Sequence, residues 1–249
     1  MATDAIRRLV SLLLSRGQRD ADRRLRLARE SLKHQSAFVR RVALESLTAL
    51  RPPDLKHALL DGLSDRSWEV RVAALEGLES VLARTRRCPA QVRPLLRDPN
   101  RLVRTQTAEL LGAVGDREML PGLIILLRDR FPLVRRYAAE AIGRVGAARD
   151  RAVLEGRIKK ERSTNARVGL YHGLYLLGSR DILPKLISML TNKNYLIRSA
   201  VAASLQDTSR YQSDARLADR AIRDVLKREH TSARENMRGT LAVLKSSRG

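Results

Sequence analysis

The sequence predicts an all-α fold of the solenoid type, and three observations carry that prediction. The chain has 249 residues and is 43% hydrophobic but only 3% aromatic. Its apolar content is therefore mostly Leu, Ala and Val, which suits packed helices better than sheet. A Val-Arg pair or close variant recurs seven times, with its arginine at Arg40, Arg71, Arg104, Arg135, Arg167, Arg198 and Arg234, at intervals of 31 to 36 residues. Apolar residues fall at fixed offsets from each arginine and lie on one helical face.

Each repeat spells out its second helix. Seven residues after the arginine stand Leu47, Leu78, Leu111, Ile142, Leu174, Leu205 and Leu241. Small residues such as Ala43, Ala74, Ala108, Ala139 and Ala202 let a neighbouring helix come close. Ser36, Ser67, Asn100, Ser163 and Asn194 precede the helices and are expected to cap them by accepting free backbone N–H groups. In the fourth copy Phe131 takes that place, but Pro132 follows and suits the first helical position. Glycines such as Gly112, Gly143 and Gly146 fall near the ends of second helices, where close packing or capping explains them better than a phosphate-binding loop.

Before each second helix lies another helical stretch, at 54–63, 91–97, 117–128, 181–190 and 214–228. The unit is a helix, a turn and a second helix. One hairpin cannot bury its apolar face alone, whereas stacked hairpins can. The expected architecture is about seven hairpins over residues 20–249, with residues 1–19 contributing an N-terminal capping helix, in a single elongated domain, 1–249.

The stretches Asp65-Arg-Ser-Trp-Glu-Val-Arg-Val-Ala-Ala-Leu75, Asp98-Pro-Asn-Arg-Leu-Val-Arg104 and Asp129-Arg-Phe-Pro-Leu-Val-Arg135 resemble the HEAT-repeat family, in particular its short prokaryotic, phycobilisome-lyase-like repeats. The resemblance covers roughly residues 20 to 245. It implies that turn aspartates and second-helix arginines form a ladder between successive repeats, so that Asp65, Arg71, Asp98, Arg104, Asp129 and Arg135 are structural. Copies five to seven carry Glu161, Asn192 and Arg228 where Asp is expected, and the ladder is expected to weaken there. Members of the family include adaptors, assembly factors, chromophore lyase subunits and diverged DNA glycosylases, so the fold does not settle function.

The charge is more telling. There are 49 basic and 27 acidic residues, a net +22 that draws in polyanions. The densest surplus off the repeat register is Arg84, Arg86, Arg87, Arg93, Arg97 and Arg101, the candidate polyanion-binding set. Arginine forks bind phosphate and carboxylate bidentately. A second candidate lies five residues after each repeat arginine, where Glu45, Glu76, Glu109 and Glu140 give way to His172. It reads either as a groove for a basic segment or as surface charges paired at helical spacing, such as Arg41 with Glu45. Glu109, Glu140, Tyr171, His172 and Tyr175 form the candidate concave face.

Four scattered histidines and one cysteine supply no metal-ligand spacing, and no catalytic, cofactor or metal residue is assigned. Cys88 lies among arginines, which would lower its pKa if they reached it. The apolar run at Leu12 to Leu14 is too short to span a membrane, and a soluble cytoplasmic protein is expected. The expected function is a non-enzymatic scaffold or adaptor for an acidic macromolecular partner. Protein is the first expectation for that partner and nucleic acid the second; no small-molecule ligand is evident. The alternatives are a nucleic-acid-backbone binder akin to the glycosylase branch, and a lyase or enzyme-assembly subunit.

Overall fold

A computed structural model of the chain describes residues 11, 21–82, 85 and 87–246; the expected N-terminal capping helix, 1–19, otherwise lies outside them. The described residues form α-helices and short 3-10 segments with no strand among them. The chain divides into two compact units, Met1–Met119 and Leu120–Gly249. The division falls between the third and fourth hairpins.

Unit one holds α1 (Ala21–Ser31), α2 (Ala37–Leu50), α3 (Leu55–Gly62), α4 (Trp68–Leu82), a 3-10 segment Ala90–Arg97, and α5 (Arg101–Val114). These pair as α1 with α2, α3 with α4, and the 3-10 segment with α5, while the second helices pack in the order α2, α4, α5. The Ala90–Arg97 segment takes the place of an α-helix because Pro94 stands inside it and cannot donate a backbone hydrogen bond. Its apolar residues Val92, Leu95 and Leu96 are nonetheless buried.

Unit two holds α6 (Leu120–Leu126), α7 (Pro132–Val145), α8 (Arg151–Ile158), α9 (Thr164–Leu176), α10 (Leu183–Ser188), α11 (Tyr195–Ser204), α12 (Gln212–Leu226) and α13 (Ala233–Ser246). Its second helices stack in the order α7, α9, α11, α13. All seven apolar residues at the +7 offset are buried, as are Val39, Val70, Val103, Val134, Ala166, Ile197 and Ala233 beside the repeat arginines. Fully burying a leucine contributes about 1.5–3 kcal/mol, so this paired register accounts for much of the core.

The two helices α7 and α9 meet backbone to backbone. A Cβ on Gly169 would lie 2.3 Å from the carbonyl oxygen of Arg136, and one on Gly173 2.4 Å from that of Ala139. Only residues without a side chain allow this approach.

The helix starts are built differently from the expectation. Asn100 and Asn194 do cap, accepting from Leu102 N–H at 2.8 Å and Leu196 N–H at 2.9 Å. Ser36 and Ser163 accept no such bond. A separate bond holds the N–H of the residue that precedes each helix. Asp65, Asp98, Asp129, Glu161, Asn192 and Glu229 each accept from the backbone N–H two residues on, at 2.8–3.0 Å. A carboxylate that takes one of these bonds is held in place for a further partner.

Candidate functional site

The further partner is an arginine of the preceding hairpin. Arg40 grips Asp65 through Nε and Nη2, both at 2.7 Å, and Arg71 grips Asp98 at 2.8 and 3.0 Å. In unit two Arg135 grips Glu161 at 2.8 Å on both oxygens. Each arginine also donates through Nη1 to the backbone carbonyl six residues upstream: Arg71 to Asp65, Arg104 to Asp98 and Arg135 to Asp129, all at 2.7 Å. Within one repeat the Asp–Arg contact is thus arginine to carbonyl, and the carboxylate serves the preceding repeat. Arg29 adds a more exposed rung to Asp54.

Copies five to seven behave unequally. Glu161 replaces Asp without loss, and its longer side chain also receives Arg157 at 2.8 Å. Burial opposes its charge, but the hydrogen bonds from Arg135 and from Ser163 N–H, with both arginine charges, hold its carboxyl below the usual range. At the last turn Glu229, one place after Arg228, supplies the acid; Arg198 reaches both its oxygens, with Nη2 at 3.0 Å from Oε1. The Arg198 hydrogen bond is the main cause pulling Glu229 down to about 2. The ladder therefore persists at the last turn, against the expectation drawn from Arg228. At Asn192 the carboxylate is missing. Arg167, exposed, bonds there to the backbone oxygen of Glu161 at 3.0 Å.

The candidate polyanion set lies outside this ladder. Arg87, Arg93, Arg97 and Arg101 are exposed, whereas Arg84 and Arg86 lie outside the described residues. Arg93 and Arg97 project from the 3-10 segment whose opposite side is anchored by Val92, Leu95 and Leu96. Cys88 is not activated by its arginine neighbours. Burial first, and then the Asp116 carboxylate, push its thiol up to about 12. The same carboxylate accepts from Cys88 N–H at 2.8 Å.

The glutamates of the inner stripe divide. Glu45 pairs with Arg41, and Glu140 with Arg136 at 2.8 Å. Glu76 is exposed, and its carboxyl is raised, by desolvation first and then by the Glu45 charge. Glu109 is exposed on α5. The rest of the candidate concave face is engaged to different degrees. Tyr171 is half-buried. Tyr175 is buried and donates its hydroxyl to Asp214 at 2.9 Å, where Arg180 closes on both carboxylate oxygens at 2.6 and 2.9 Å. His172 is 2% exposed, with Nε2 at 2.9 Å from Asp207. Asp207 also meets Arg144 at 3.3 Å and Arg210 at 3.7 Å. Burial works against the Asp207 charge, yet the His172 bond and these cations hold its carboxyl below the usual range.

Two clefts open elsewhere. One of about 190 Å³ lies against Arg51, Pro52 and Lys56 in unit one. The other, about 680 Å³, lies in unit two among Asn192, Lys193, Arg198, Lys227, Arg228 and Glu229. No group of three or more His, Cys, Asp or Glu suited to a metal ion occurs among the described residues. No described helix is long and apolar enough to cross a membrane.

Stacked two-helix repeats joined by an arginine–carboxylate ladder define an α-solenoid repeat protein. Residues 89–174 match the family model of HEAT repeats. No curated protein matches it. Among solved structures it is similar to the complex of CpcE and CpcF of phycocyanin lyase from Nostoc sp. PCC7120, at 17% identity and a TM-score of 0.65, covering 88% of this chain and 94% of that one. A HEAT-like repeat protein from Thermococcus onnurineus NA1 aligns at 15% identity and a TM-score of 0.39, covering 98% of each chain. At 17% identity the likeness to the lyase structure concerns the fold.

One further feature runs beside the ladder and was not among the expected sites. Counted from each repeat arginine, the positions five and seven residues earlier flank the ladder position. At least one of them is basic in every copy: Lys33, Arg66, Arg97, Arg128 with Arg130, Lys160 with Arg162, Lys193, and Lys227. All are exposed. The alignment that locates the core contains this row as well, at offsets on the polar side of the turn.

Proposed function

We propose that the chain is a cytoplasmic, non-enzymatic scaffold that binds an acidic macromolecular partner over its surface. The observation that carries this reading is the division of its arginines. Arg40, Arg71, Arg135, Arg198 and Arg234 on the repeat register are engaged by carboxylates or backbone carbonyls at 2.6–3.0 Å. Arg87, Arg93 and Arg97 stand exposed with no ion pair among the described residues. The ladder pairs cancel in charge, so the net +22 lies outside them. Such a surplus steers and holds a polyanionic partner. Repeat stacks of this type present extended binding surfaces, and the solved lyase protein of similar fold is itself part of a complex.

The test is affinity capture from extract with wild-type chain and with Arg87→Glu/Arg93→Glu/Arg97→Glu, each with and without nuclease. The reading predicts an acidic partner retained by the wild type and lost by the triple variant. Identical captures by the two proteins would defeat it.

A further inference from the structure

The turns of unit two carry exposed cations of their own, and a local geometric reason places them on one edge. The ladder carboxylates Glu161 and Glu229 turn inward to an arginine of the preceding hairpin. Asn192, at the corresponding place in its turn, has φ −61° and ψ 140°, an extended conformation. Neighbours of an extended residue point the opposite way. Arg128 and Arg130 therefore flank inward-facing Asp129, Lys160 and Arg162 flank Glu161, and Lys193 follows Asn192, all with exposed side chains. Arg128, Lys160, Arg162 and Lys193 make no ion pair among the described residues. At the last turn the one-place shift that brings Glu229 into the ladder leaves Arg228 exposed beside Lys193 in the 680 Å³ cleft. Lys227 is occupied, by Asp224 at 2.8 Å.

Because the hairpins of unit two stack in register, their turns line up on one edge, about 8–10 Å apart as packed helices are. The result is a cationic row over four consecutive turns. Its composition distinguishes between acidic partners. Protein interfaces are depleted in lysine at their core and are anchored by buried aromatic and apolar side chains. Here lysine supplies two of the six cations, Lys160 and Lys193, and the turn residues around them include Ser163, Thr164, Asn192 and Asn194. Single-strand binders interleave aromatic platforms among the cations. This edge has Tyr195 exposed, while Phe131 is half-buried under Arg130 at 4.8 Å. A row of cations with one exposed ring, and no aromatic interleaved at each turn, matches a duplex, whose phosphates recur about every 3.4 Å of axis on each strand.

We propose that this turn edge of unit two binds the phosphate backbone of duplex nucleic acid without reading its sequence. The inference rests on the reading of the chain as a binder of acidic macromolecules, and specifies one surface and one partner class for it.

The experiment is fluorescence anisotropy of the full chain with a labelled 20-base-pair DNA duplex and the matching single strand, from 50 to 200 mM salt. At about 0.9 per neutralised phosphate, five contacts give a log–log salt slope of about −4.5. The expected result is a slope of about −4 or steeper, with duplex binding independent of sequence. Lys160→Glu/Arg162→Glu/Lys193→Glu/Arg228→Glu should weaken binding at least tenfold, while Arg162→Lys/Arg228→Lys retains it. Equal thermal melts of the variants would exclude unfolding as the cause. No duplex binding at 50 mM salt, unaltered binding by the quadruple variant, or tighter binding of the single strand would each overturn the proposal. If the chain instead retains an acidic protein through these cations and ignores the duplex, this inference fails while the broader scaffold reading stands.

Discussion

Arg198 holds both carboxylate oxygens of Glu229 although that acid stands five residues before its own repeat arginine, Arg234, where the other turns keep six. The turn absorbs the missing residue. Arg234 still donates to the carbonyl of Glu229, at 2.6 Å, and Thr231 N–H still bonds the carboxylate, at 3.0 Å. The ladder is defined by this bonding pattern and not by strict spacing.

This rung has a pH signature. Glu229 has a folded pKa of about 2 against an ordinary 4.5, so its contribution is fully present above the ordinary value and lost as pH falls through the folded one. At 1.36 kcal/mol per pH unit, that contribution is about 3 kcal/mol at pH 7. Glu229→Gln should lower unfolding free energy by about 2–3 kcal/mol in denaturant melts at pH 7, and the gap to wild type should narrow towards pH 2.5. A gap that stays constant with pH would contradict this account of the rung.

Glycine substitutions should change sign with position. Gly173→Ala would drive a Cβ to 2.4 Å from the Ala139 carbonyl oxygen and should destabilise by about 1–3 kcal/mol or more. At Gly156, in α8, a methyl group would meet nothing within 4 Å, and Gly156→Ala should stabilise by about 0.5–1 kcal/mol through helix propensity. Thermal melts of the two variants decide the matter.

The sixth turn has a missing rung that can be restored. Asn192→Asp would place a carboxylate in the position that Asp65 and Asp98 occupy opposite Arg40 and Arg71. Arg167 is exposed, so the gain should be modest, up to about 1 kcal/mol, and should shrink in 1 M salt. A gain insensitive to salt would point to a different cause.

Cys88 should be a slow thiol. With its pKa near 12, its thiolate fraction at pH 8.5 is far below that of a free cysteine. Iodoacetamide should modify the folded chain at least 100-fold more slowly than the unfolded chain, and comparable rates would show that the thiol is not held by burial and Asp116.

Much of this was legible in the sequence because the repeat dictates both core and ladder. Val103, Ala108 and Leu111 sit at helical spacing from Arg104 and are all buried. Three features were harder to read. Ser36 and Ser163 do not cap, and Glu161 instead bonds the N–H of Ser163 itself, a turn contact that a pattern of cap residues does not reveal. Tyr175 and His172 looked like a patch because their helical spacing is visible, whereas Asp214 and Asp207, which bind them from 39 and 35 residues away, follow no local pattern. Gly169 and Gly173 stand two and six residues after Arg167, off the alanine register of other copies, and their contact with α7 emerges only when the helices pack.

The central claim is that binding resides in exposed cations and not in the inner face around Tyr171. The most direct measurement compares equilibrium binding of the captured partner by Arg93→Glu/Arg97→Glu and by Glu140→Gln/Tyr171→Phe at 150 mM salt. The account predicts at least a tenfold loss for the first variant and less than a twofold change for the second. Undiminished binding by the arginine variant, with loss confined to the inner-face variant, would contradict it.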